Sequence, residues 1–156
     1  MIETGSAYRT VVVGTDGSES SLRAVARAGA LAGACEATLV IACAYLPTED
    51  DDRELAAAQD ALRDDAYQVV GAHPAEDTVR TAQERAAKAG ARDIRTVAVM
   101  GSPVETLLEV VRREQADLLV VGNRGLAGIK GRLLGSVPAD ATRRSSCDVL
   151  VVHTTG

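Results

Sequence analysis

The chain contains no Phe and no Trp, and only 3 of its 156 residues are Tyr. Its core is therefore expected to consist of Val, Leu, Ile and Ala. Base-stacking nucleic-acid platforms, which need aromatic faces, are disfavoured. Basic charge is also short: the formal net charge is −5 and the sequence pI about 5.0. That is the wrong sign for a surface that neutralises the phosphates of a nucleic acid, so no nucleic-acid partner is expected. Long hydrophobic runs are missing too. None approaches the roughly 20 residues needed to cross a bilayer. Met1 to Tyr8 lack the basic and apolar parts of a signal peptide, so a cytoplasmic protein without a membrane partner is expected. Cysteine is sparse and odd in number (Cys35, Cys43 and Cys147), with no CxxC. Each sits in or beside an apolar stretch, which predicts reduced, mostly buried thiols. The histidines, His73 and His153, lie far apart and away from any Cys/Asp cluster, so no metal site is expected.

What is present is ordinary for a soluble domain: 46% hydrophobic and 25% charged residues. The length fits one domain over residues 1–156, with residues 1–8 expected to be loose. Short apolar runs alternate with helical periodicity. Strands are predicted at Thr10–Gly14, Thr38–Ala44, Ile94–Val99, Asp117–Gly122 and Asp148–Val152. Helices are predicted over about 20–33, 53–70, 74–89, 103 onward and 136–145. On the first, Leu22, Val25, Ala26 and Gly29 share a face. Gly71-Ala72-His73-Pro74 breaks the crossover, because proline cannot continue a helix ladder. The acidic cluster Glu49-Asp50-Asp51-Asp52 reads as a solvated surface and helix start, with a cation site as the alternative. Ser102, Pro103 and Glu105 form a capping-box pattern. Apolar strands alternating with helices predict an α/β fold: a single open, doubly wound, five-stranded parallel sheet of Rossmann-like or flavodoxin-like type.

In such sheets ligands bind beyond the carboxyl ends of strands, where strand order reverses. With the order 3-2-1-4-5, strands one and four are neighbours there. The first ends in Gly14-Thr15-Asp16-Gly17-Ser18. The fourth ends in Gly122-Asn123-Arg124-Gly125, and nine residues later Gly135-Ser136 opens a helix. Glycines allow close approach of phosphate oxygens to backbone N–H groups, and a helix start favours an anion. Residues 122–146 carry Arg124, Lys130, Arg132, Arg143 and Arg144 against Asp140 alone, a net +4 inside a chain of −5. A phosphate pocket and a capped, flexible connector are both consistent with this loop. Asp16 likewise reads as a turn former or as an acceptor for ribose hydroxyls. GxGxxG after the first strand and GxxxxGK[ST] are absent, as is any Ser/His/Asp arrangement, so no catalytic residue is assigned.

Gly122-x2-Gly125-x9-Gly135-Ser136 resembles the G-2x-G-9x-G-[S/T] nucleotide motif of universal stress proteins. The opening strand through Ser18, the Gly101-Ser102-Pro103 turn and the last two strands resemble that family as well. The likeness runs from about Tyr8 to His153. It implies a five-stranded parallel sheet, a homodimer through the last strand, and ATP as ligand, with Mg2+ possible beside it. Some actinobacterial members instead prefer cyclic AMP. Carried over residue by residue, Asp16 would hold the ribose. Gly14, Thr15 and the second strand's end at Ala42 and Cys43 would line the adenine pocket. Gly122, Asn123, Arg124, Gly125, Gly135, Ser136 and Val137 would surround the phosphates. Pro138 departs from the motif: it has no N–H, leaving one donor fewer for a triphosphate, whereas a cyclic phosphate needs fewer. The implied role is a nucleotide-binding regulatory protein. The alternatives are a slow ATP hydrolase, a flavodoxin-like electron carrier (disfavoured by the missing aromatics) and a phospho-acceptor switch at Asp16, which has only one acid where several are needed.

Overall fold

The computed structural model describes residues 5–47, 71–123 and 136–154. The expected helix over 53–70, the acidic cluster 49–52 and residues 124–135 lie outside them. Five parallel strands form one sheet: β1 (Thr10–Gly14), β2 (Thr38–Tyr45), β3 (Asp93–Met100), β4 (Leu118–Gly122) and β5 (Asp148–Val152). Their order is β3-β2-β1-β4-β5, as the sequence predicts. The helices are α1 (Glu19–Cys35), α2 (Ala72–Ala89), α3 (Pro103–Glu114) and α4 (Ser136–Arg144).

Strand periodicity divides the core in two. Val11, Val13, Leu39, Ile41, Cys43, Leu118 and Val120 meet the buried faces of α1 and α2. Val12, Val40, Ala42, Leu119 and Val121 meet α3 and Ala141 of α4. The inner strands are apolar on both faces for this reason. The outer strands are not: β3 has no fully buried residue and β5 only Val152. An edge strand is covered less, so Arg95 and Thr96 are tolerated on β3.

Local differences from the sequence reading have identifiable causes. α1 begins at Glu19 because Ser18 caps it, accepting from the Ser21 N–H at 3.2 Å. Its buried stripe runs through Leu22, Ala24, Val25, Ala28, Gly29 and Ala32, and Ala26 is only half-buried. α2 starts at Ala72, not Pro74, because proline within a first helical turn removes no helix hydrogen bond. Asp117 precedes β4 instead of opening it. Its carboxylate accepts from the N–H groups of Arg9 and Thr10 at 3.0 Å each, aligning the starts of β1 and β4. The capping box does not form: Ser102 has N-cap backbone angles but no side-chain cap bond, and Glu105 pairs with Arg144 of α4 at 2.7 Å. Before β1, in a stretch expected to be loose, the Ser6 hydroxyl donates to the Cys35 carbonyl. The Tyr8 hydroxyl donates to Asp148 at 2.9 Å, and that bond holds its phenol above the usual pKa.

α3 ends on Gln115, whose φ of 53° is left-handed. A side chain there is strained and glycine is not. Gln115→Gly is expected to stabilise the fold by about 1 kcal/mol, raising Tm by about 2–4 °C in calorimetry.

Among the described residues, no helix is long and apolar enough to cross a membrane.

Candidate functional site

The chain winds outward from β1 through β2 to β3 on one side, then crosses to β4 on the other. The crevice at the carboxyl ends of β1 and β4 is therefore the switch point of the sheet. Gly14 closes β1 opposite Ala42 of β2, and the Thr15 N–H donates to the Ala42 carbonyl at 2.9 Å. A Cβ on Gly14 would lie 2.8 Å from Leu107 Cδ2, so a larger residue there would require the Leu107 side chain to shift.

The turn that follows is closed by its own side chains. The Asp16 N–H donates to Ser21 Oγ at 3.4 Å, the Gly17 N–H to Thr15 Oγ1 at 3.1 Å, and the Ser18 N–H to Asp16 Oδ1 at 2.9 Å. Ser21 Oγ gives its proton to the Ser18 carbonyl, so the Thr15 hydroxyl is the donor in the 2.8 Å Thr15–Ser21 contact. Gly17 supplies the φ of 86° that the turn requires. Three successive amides are thus taken, and this loop offers them to no anion. What it presents is the half-buried Asp16 carboxylate, whose hydrogen bonds among the described residues engage only Oδ1. That geometry suits a ligand bearing hydroxyl donors.

Ala42 and Cys43 point into opposite halves of the core and are almost wholly shut from solvent. At this strand end, main chain is what a ligand would meet. Burial, and secondarily the Asp16 charge, push the Cys43 thiol up to about 12. Cys35 and Cys147 are only half-buried, which corrects the expectation that the thiols are mostly buried. At pH 8 a disulfide reagent is expected to titrate Cys35 and Cys147 in the native protein, and Cys43 only after denaturation.

On the β4 side, a Cβ on Gly122 would lie 3.3 Å from Thr154 Cγ2, a tight contact to which Thr154 would have to yield. The Asn123 N–H donates to the Val152 carbonyl at 2.8 Å. Its side chain turns to the segment after β5, where Oδ1 accepts from the Thr154 N–H at 2.8 Å and hydroxyl at 3.1 Å. Arg124, Gly125 and Gly135 lie outside the described residues. Ser136 is the first residue of α4. Val137 is packed against the α3 side of the core, and Pro138 lies within the helix's first turn.

Sequence reasoning missed the side chains that join the two strand ends, Ser20, Arg23 and Thr154, and Ser21, which closes the turn after β1. The run Ser18-Glu19-Ser20-Ser21 at a helix start was a usable capping signal. Nothing local marks Thr154, whose partners Ser20 and Arg23 lie 134 and 131 positions away.

Residues 7–153 match the model of the universal stress protein family. A universal stress protein of Mycobacterium tuberculosis is 54% identical over 150 residues, covering 96% of this chain and 99% of the relative. A crystal structure of a universal stress protein in complex with cAMP is 50% identical, with a TM-score of 0.74, over 96% of this chain and 100% of that one. The Archaeoglobus fulgidus universal stress protein in complex with dAMP is 17% identical with a TM-score of 0.64, over 92% of this chain and 97% of its own, and attests the fold alone.

Proposed function

Because the chain belongs to the universal stress protein family, we propose that it is a regulatory protein binding one adenine nucleotide across the carboxyl ends of β1 and β4, with cyclic AMP preferred to ATP. The observation that carries this reading is full-length likeness, at 50% identity, to a universal stress protein crystallised with cAMP. The local chemistry agrees. Asp16 keeps carboxylate capacity for a ribose hydroxyl, while the amides around it are already bonded. Pro138 removes one N–H from the first turn of α4, a smaller loss for a single cyclic phosphate than for a triphosphate accompanied by magnesium. The basic excess of residues 122–146 supplies the charge for either.

Calorimetric titration of the nucleotide-stripped protein with cyclic AMP, and separately with ATP plus magnesium, tests the reading. Tighter cyclic AMP binding is the expected result. Tighter ATP binding would transfer the site to the ATP-binding members, and absence of both would end the proposal.

The same reading includes a homodimer through β5. Among the described residues this strand pairs only with β4, and its Leu150 is 37% exposed. Such an edge invites pairing with a second copy. Light scattering at micromolar concentration is expected to give twice the chain mass, and Leu150→Lys to shift it toward the monomer.

A further inference from the structure

Thr154 is 3% exposed, and every polar atom it has is engaged. Its N–H and hydroxyl both donate to Asn123 Oδ1, at 2.8 and 3.1 Å. Its carbonyl accepts from Arg23 Nη1 at 2.6 Å. Since the Thr154 hydroxyl proton goes to Asn123, the Ser20 hydroxyl must be the donor in the 2.6 Å Ser20–Thr154 contact. The Thr154 methyl also lies 3.3 Å from where a Cβ on Gly122 would sit, with Thr154 Oγ1 at 3.5 Å and Ser20 Oγ at 3.9 Å. One side chain thus ties together the start of α1, four residues after Asp16, and the end of β4, where the glycine-rich segment departs.

Resting on the reading of this crevice as a nucleotide site, we propose that Thr154 is a positioning residue for that site. It acts through Asn123, fixing the direction in which the chain leaves β4 relative to the Asp16 turn. The chemistry requires two things at once. Asn123 Oδ1 can accept two bonds, and both come from Thr154, so the amide cannot rotate toward a ligand without breaking them. Thr154 also packs close over Gly122, so a Cβ at that position would press on the same junction. The Ser20 bond carries the restraint to the β1 side and links the two halves of the crevice.

The test is nucleotide affinity, with cyclic AMP and with ATP plus magnesium as probes, across Thr154→Val, Thr154→Ser, Asn123→Ala and the Asn123→Ala/Thr154→Val pair. Losing one buried hydroxyl bond is expected to weaken binding about two- to tenfold in Thr154→Val. Thr154→Ser restores the hydroxyl and is expected to stay within about twofold of the parent. If Thr154 acts through Asn123, the double variant binds no worse than Asn123→Ala. Parent-like binding by Thr154→Val, or losses that simply add, would overturn the inference while leaving the nucleotide site intact. A parent that binds neither probe would overturn both. Should Thr154→Val lose its cooperative melt, Ser20→Ala takes its place in the same cycle, with the same non-additivity expected and additivity overturning it.

Discussion

Gly29→Val is expected to destabilise the protein by about 3 kcal/mol, the upper end for a residue forced into a filled interface. α1 and α2 cross at almost backbone contact. A Cβ on Gly29 would lie 2.7 Å from the Ala86 carbonyl oxygen and 2.9 Å from its Cα. These are main-chain atoms and cannot swing aside, so the helices must separate. Separation would loosen Val79, Ala82 and Ala86, which fill the seam between α2 and the sheet. A chain without Phe or Trp depends on such close approach, because small side chains bury enough area only when helices lie near one another. The control is Ala30→Val on the exposed side of the same turn. There only the helix preference changes, by about 0.5 kcal/mol. Urea midpoints of the two variants measure the difference. Equal midpoints would mean that the seam is not tightly packed.

Asp16→Asn is expected to weaken nucleotide binding about 10- to 100-fold while leaving Tm near that of the parent. Asparagine keeps an oxygen for the Ser18 N–H, so the turn closes, but the negative charge that would accept from ribose hydroxyls is gone. A hydrogen bond to a charged acceptor contributes about 1.5–3 kcal/mol, which sets that range. Asp16→Ala removes both functions and is expected to lose binding and also about 1 kcal/mol of stability, by analogy with the loss of a capping side chain. The comparison separates the two readings that the sequence leaves open for this residue. If Asp16→Asn binds as the parent does, Asp16 is a turn former only. If it binds weakly with an unchanged melt, the carboxylate itself meets the ligand.

The division between sequence and structure follows the range over which each signal acts. Apolar runs and helical spacing are local, and they sufficed for all five strands and for α1, α2, α3 and α4. The Gly122-x2-Gly125-x9-Gly135-Ser136 spacing and the Thr15-Asp16-Gly17 strand end marked the candidate end of the sheet. The order 3-2-1-4-5, taken for a doubly wound sheet, is the order observed. Boundaries shifted where a local rule met a stronger partner: Glu105 left its capping box for Arg144, and Asp117 left β4 to hold the amides before β1. The state of the site residues could not be read in advance. That Asn123 is turned away to Thr154, that the Asp16 turn has used its own amides, and that Ala42 and Cys43 are sealed into separate halves of the core are all matters of tertiary structure. Each depends on which groups meet across the sheet. Periodicity along a chain reports which face is buried, but it does not report which distant donor will reach a given acceptor. The sequence by itself therefore determined the elements and the end of the sheet where the candidate site lies. Only the folded chain, by bringing residues 20, 123 and 154 within hydrogen-bond distance, decided how that end is held.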